Sequence, residues 1–321
     1  NDAWSPFFIA PWWKEAYSDE MPAIDRWLRG SFFCLPFGSN AQPYKGVQFP
    51  VHGIPPNNHW KVTSFAEEKD AVTLTIETEG EIFGNQILTA SQEFVLKAGH
   101  PVIYVSAKVS GINARLPVAF HPTLQLSGKI GSCIFDISNP VSGFTPPAPV
   151  EDPENQGYSL LKPGSEITDM HKVETVYGNF IDITACPCCR GFEDVAFFMS
   201  DPERDFSFSA VTYSEDNMLY FQLKNPKNLS STMLWMSNGG RFYPPWEGRV
   251  FGGFGIEEAN SFFHYGAKES TEDNFLTERN FRTADDFSAD RENFYKIIMG
   301  SVPVPEGFSG VSDMKRNGNK K

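Results

Sequence analysis

The chain has 321 residues, a net charge of −13, and 40% hydrophobic and 14% aromatic residues. That acidity opposes nucleic acids and anionic membrane surfaces, both of which need a basic footprint, and leaves a neutral ligand such as a sugar unaffected. No apolar run reaches the roughly 18 residues of a membrane span. No signal-peptide pattern opens the chain, which starts at Asn1 rather than Met, so localisation stays open with the cytoplasm slightly favoured.

With 29 Phe, 26 Gly and 24 Pro, the composition favours many short strands joined by turns. Residues 1–30 hold an amphipathic aromatic patch, Trp12, Trp13 and Tyr17 followed by Ile24, Trp27 and Leu28, which reads as a cover laid on a sheet with a helical turn or two. SFFCLPFGSN is an apolar segment ended by a Gly-Ser-Asn turn, and VHGIPPNNHW places His52 on a Gly-Pro loop. From 72 to 80 the sequence alternates Val72, Leu74 and Ile76 with Thr73, Thr75 and Glu77, the period of a half-buried antiparallel strand.

QILTASQEFVL and PVIYVSAKVSG continue that pattern, and LPVAFHPTLQLSG, CIFDIS, DVAFFMS, DFSFSAVTYS, MLYFQLK, TMLWMS and RVFGGFGIEE read as further strands. Residues 139–166 form a Pro-rich surface loop, 267–292 a polar excursion, and VPVPEGFSGVSDMK the closing strand. Without repeats, heptads or alternating helices, the architecture predicted for 1–321 is one large antiparallel β-sandwich, all-β.

Five cysteines do not make a disulfide framework. Cys186, Cys188 and Cys189, with His171 upstream, lack a second Cys-x-x-Cys pair and read as thiols in a tight turn rather than a metal site. There is no Gly-x-Ser-x-Gly elbow, no phosphate-cradling loop and no dinucleotide fingerprint, and no cofactor is predicted.

The chemistry-bearing candidates are two histidines and a carboxylate. His121 precedes Pro122, which holds it extended at the end of an apolar run. Glu257 and Glu258 arrive on a glycine-rich strand, Gly252-Gly253-Phe254-Gly255-Ile256, where glycine marks a bulge or a close approach. Of the other histidines, His264 is a weaker candidate because it follows the carboxylates in FFHYG.

His52-Gly53, then a strand ending in AFHPTLQL, then FGIEE, in that order, resembles the aldose 1-epimerase or galactose mutarotase-like family over about residues 29–265. The resemblance implies a β-supersandwich whose concave face holds a monosaccharide, with His52 binding sugar oxygens, His121 as general acid and Glu257 as general base. It also implies a ligating arginine, for which Arg29 is the candidate, and an aromatic wall, for which Trp60, Trp235, Trp246 and Phe254 are candidates. The implied reaction interconverts α and β anomers by acid-base ring opening, with burial raising the pKa of Glu257 and a nearby carboxylate raising that of His121. A non-catalytic sugar-binding sandwich is an alternative. So is a glycoside-cleaving or lyase enzyme pairing Glu257 with Asp194 or Glu193.

Overall fold

The computed structural model describes residues 4–15 and 21–316; Tyr17 of the N-terminal patch lies outside them. The alternating segments pair into two large antiparallel sheets facing each other, with two small two-stranded ladders beside them. The smaller, six-stranded sheet runs in the order Ser31–Cys34, Val118–Gln125, Phe251–Asn260, Ser231–Asn238, Glu193–Met199, Ser142–Phe144. The larger has nine strands, from Ala185–Cys186 at one edge through Ser207–Tyr213 and Asn293–Pro303 to Lys61–Glu68 at the other.

Two-residue alternation sorts each strand's side chains between two apolar layers. Phe33, Phe120, Phe198, Leu234, Phe254 and Ile256 point between the sheets and meet Val105, Phe135, Tyr220 and Ile297 of the larger sheet. Each such side chain contributes about 1.5–3 kcal/mol by leaving water. Ala119, Phe197, Met233, Trp235 and Ala259 point to the other face of the six-stranded sheet. That face is roofed by Phe8, Ala10, Trp12 and Leu28 of the N-terminal segment and by Phe262, Phe263 and Leu276.

Among the described residues the helical content of the cover is a single turn, Ala23–Arg26. The closing strand differs from expectation. The ladder runs over Asn293–Pro303 and stops where the VPVPEGFSGVSDMK segment begins, because Pro303 and Pro305 have no N–H to extend it. Residues 267–292 carry two short helices, Ala267–Thr271 and Phe275–Glu278, and the strand Asp285–Phe287. All five cysteines are free thiols. Among the described residues no helix is long and apolar enough to cross a membrane.

Candidate active site

Pairing register brings the site together. Gly255 pairs with Thr123 and Glu258 with Phe120, so Glu257 stands across from His121 on the neighbouring strand. His121 in turn pairs with Phe32, and Glu257 with Met233. The row Phe32–His121–Glu257–Met233 therefore crosses the outer face of the six-stranded sheet. Here His121, Glu257 and Met233 form the floor of a cavity of about 140 Å³, walled by Ile24, Asp25, Leu28, His52, Trp235, Arg241, Trp246 and His264 among others.

The two adjacent glutamates part company because odd and even positions of a strand face opposite ways. Glu258 points between the sheets, where Gln222 Nε2 (2.6 Å), Thr232 Oγ1 (2.7 Å) and Ser209 Oγ (3.3 Å) donate to it and Lys224 Nζ pairs with it at 2.5 Å. Glu257 points into the cavity. It is 1% exposed, yet neither carboxylate oxygen has a hydrogen-bond partner among the described residues. Its Oε1 lies 3.2 Å from His121 Nε2, close but without hydrogen-bond alignment. Gly255 makes the room: a Cβ there would sit 2.7 Å from Glu257 Oε1 and 3.2 Å from Trp235 Cβ.

His121 is held on three sides. Its Nδ1 lies 3.1 Å from Thr123 Oγ1, Phe32 stacks on it at 4.5 Å between ring centroids, and the His52 ring meets it edge-on at 4.9 Å. His52 has a φ of +59° and its N–H donates to Gly38 O at 2.7 Å. Gly53 follows because any Cβ there would strike the backbone of Leu35, at 2.1 Å from its oxygen. This accounts for the His-Gly pair in physical terms. The buried side chain of Asn40 ties the loops together, donating to Pro36 O and Pro50 O and accepting from Ala267 N, while Ser39 N donates to His264 O.

Burial penalises charge throughout the cavity. It pushes Glu257 well above the ordinary carboxyl value. It pushes His121 well below the usual imidazole value, with His52 adding to the effect, and lowers His52 to about 3 and His264 to about 4. The expected upward shift of His121 by a carboxylate is thus reversed, because burial outweighs the facing carboxyl. Burial thus favours the neutral form of the imidazoles and of Glu257 alike.

Arg241 is the cavity's cation. Its Nε donates to Glu151 at 2.6 Å and lies 3.9 Å from Glu193, and its guanidinium covers the Trp246 ring at 4.4 Å. Glu193 accepts from Ser237 Oγ and Trp235 Nε1 and is raised to about 7, mainly by burial.

Of the residues expected at the site, His52, His121, Glu257, Trp235 and Trp246 line one cavity. Three do not. Arg29 stacks over Trp13 and Trp27 away from it, because the strand start at Ser31 turns its side chain toward the N-terminal segment. Phe254 is three residues from Glu257 and so points between the sheets, edge-on to Phe135. Trp60 packs against the inter-sheet core and donates to Pro55 O.

Of the carboxylates named as partners for Glu257, Asp194 accepts from the amides of Leu160 and Leu161, while Glu193 is engaged as above. Asp25, Ser39, Arg241 and His264 are the further polar residues of the cavity wall. His264 had a signal in its place just after the carboxylate strand.

No family model matches this sequence, and no curated protein is significantly similar to it. Solved structures are similar in fold. A galactose mutarotase-like protein from Clostridium acetobutylicum superposes with a TM-score of 0.57 at 11% identity, covering 91% of this chain and 83% of that one. A candidate aldose 1-epimerase from Escherichia coli K12 gives 0.54 at 12% identity, with 86% and 84% covered. A candidate mutarotase from Salmonella typhimurium gives 0.52 at 14% identity, with 86% and 74% covered. The fold is galactose mutarotase-like. At these identities the likeness extends to architecture, and the chemistry of this mutarotase-like sandwich has to be argued from its own cavity.

Proposed function

We propose that the protein is an aldose 1-epimerase, interconverting the α and β anomers of a free sugar. The observation that carries this reading is Glu257: a buried carboxyl with both oxygens free, facing a cavity and 3.2 Å from a neutral imidazole. A buried polar group without partners costs about 1–3 kcal/mol, so its retention points to chemistry rather than to stability.

Ring opening removes the proton from the anomeric hydroxyl, forms the C1=O1 double bond, breaks C1–O5 and delivers a proton to O5. Rotation about C1–C2 presents the other face of the aldehyde. Closure reverses both transfers, so each group serves as acid in one direction and base in the other. Two facing groups that both lean toward the neutral form suit that exchange. The resemblance gives Glu257 as base and His121 as acid. With sugar hydroxyls donating to Glu257, its carboxylate form is stabilised and the proton moves to His121.

The cavity size supports a single ring, since an apolar cavity of about 150 Å³ takes up benzene and this one measures about 140 Å³. Trp235 and Trp246 offer apolar faces for the sugar's C–H side.

Polarimetry of a freshly dissolved α-aldose tests the proposal. The wild type speeds the approach to anomeric equilibrium over buffer, and Glu257→Gln loses at least about 100-fold of that acceleration. Wild-type rates in the variant would reject the reading. Sugar binding with no acceleration would make the protein a non-catalytic binder.

A further inference from the structure

We propose that Cys188 and Cys189 form a reversible redox site, which exchanges with a low-molecular-weight disulfide and closes on itself while the reagent leaves as two thiols. Its chemistry is independent of the epimerase reading and uses thiols that do not line the cavity.

The chain supplies five free thiols, and their surroundings sort them. Cys34, Cys133 and Cys186 are at most 1% exposed, and burial holds all three thiols above the ordinary value. Cys186 pairs in register with Cys133, and its Sγ donates to Cys133 O at 3.6 Å. Cys188 and Cys189 are half-buried instead, on the segment between the strands Ala185–Cys186 and Glu193–Met199. A reagent in solution therefore reaches two sulfurs of the five.

Those two sulfurs lie 3.7 Å apart, with Cys188 Sγ donating to Cys189 Sγ. A second donor, the side-chain amide of Asn238, reaches Cys189 Sγ at 3.9 Å. Asn238 is itself 3% exposed. Its backbone is tied on both sides, N–H donating to Phe192 O at 3.0 Å and the carbonyl accepting from Gly191 N at 2.7 Å. A buried amide is thus aimed at one sulfur and held there. The roles divide accordingly. Cys189, which accepts from both donors, is the attacking sulfur. Cys188, whose thiol is raised well above its ordinary value by that hydrogen bond and by burial, is the resolving one.

The exchange balances in two steps. The Cys189 thiolate attacks one sulfur of the reagent R–S–S–R, which forms Cys189–S–S–R and releases RS⁻. Cys188 passes its proton to that RS⁻, and its sulfur attacks Cys189 Sγ. The Cys188–Cys189 bond forms, the mixed disulfide breaks, and the second RS⁻ takes up the proton that Cys189 first gave to solvent. Two electrons and two protons leave the protein, and the reagent gains them as two thiols.

Adjacent residues hold their Cα atoms about 3.8 Å apart across a trans peptide, closer than the roughly 4.4–6.8 Å that most disulfides span. The closed bond is therefore strained, and strained disulfides are the easily reduced ones. That suits a cycling site and not a structural staple.

Incubation of the folded wild-type protein with oxidised glutathione, read by intact mass and peptide mapping, tests this. Wild type loses two hydrogens, and the linkage is confined to the peptide that carries Cys188 and Cys189. Thiols titratable in the folded protein fall from two to none and return with dithiothreitol. Cys188→Ser stops at a glutathione adduct on Cys189, whereas Cys189→Ser forms its adduct at least about tenfold more slowly. A wild-type protein that keeps a stable glutathione adduct, links Cys133 or Cys186 instead, or does not react while folded overturns the proposal, whatever becomes of either variant's fold. None of these results bears on anomerisation, which polarimetry decides separately.

Discussion

Glu257 and Glu258 are adjacent, chemically identical and each 1% exposed, so replacing each in turn by glutamine separates chemistry from stability. Glu258 is the counter-ion of Lys224, whose Nζ is buried with it and also donates to Thr232 Oγ1. Removing one partner of a buried ion pair leaves an uncompensated charge and costs about 3–5 kcal/mol. Unfolding entropy of about 2.1 cal/mol/K per residue over 321 residues converts this to a fall in Tm of about 4–7 °C.

Glu257→Gln removes no partner, and burial already favours the neutral form of that carboxyl. A raised carboxyl stabilises the fold fully only below its unfolded value and loses that contribution as pH climbs toward its folded value. Glu257→Gln therefore leaves Tm unchanged or higher at pH 7, and the difference from wild type grows above pH 4.5. Thermal denaturation followed by circular dichroism, paired with polarimetry, reads both effects. A Tm loss in Glu257→Gln equal to that in Glu258→Gln would refute the assignment of the two carboxylates to opposite faces of the strand.

Gly255→Ala sets a Cβ 2.7 Å from Glu257 Oε1, so kcat for anomerisation falls more than tenfold by steady-state polarimetry while Tm changes little. Arg29→Ala leaves kcat/KM within about twofold because the side chain lies over Trp13 and Trp27. Arg241→Ala leaves Glu151 and Glu193 beside the cavity without their cation, and sugar binding by calorimetry weakens at least tenfold. The pH profile of kcat/KM is flat through 6.5, since His121 charges only well below that value, and falls on the alkaline side as Glu257 ionises. A profile that drops on acidification through 6.5 would show an imidazole with its ordinary pKa.

Most of the sheet was legible from alternation alone, because half-buried antiparallel strands write their two faces into odd and even positions. The same rule, applied within FGGFGIEE, already separates Phe254 from Glu257, three residues apart and hence on opposite faces. Naming Phe254 as a wall residue overlooked it. His52-Gly53 and Gly255 carried signal because glycine is forced by contacts with Leu35 O and Glu257 Oε1.

Asp25 and Arg241 carried little, since each reaches the cavity through a segment whose path is set by long-range packing: Trp12 against Trp246 for one, Glu151 and Glu193 for the other. Arg29 stands near the first motif in sequence, and that proximity says nothing about the direction in which its strand enters the sheet. The final strand was displaced toward the prolines because its apolar positions, Tyr295, Ile297 and Met299, follow directly on a charged stretch.

The central claim is that Glu257 and His121 pass protons to and from a sugar ring without consuming it. Two-dimensional exchange spectroscopy on a 1-¹³C-labelled aldose at anomeric equilibrium measures that directly. With wild-type protein, cross-peaks link the α and β anomeric signals at rates proportional to enzyme, and with Glu257→Gln or His121→Ala they return to the buffer rate. Exchange that persists in either variant, or is missing from the wild type across neutral aldoses, contradicts the account.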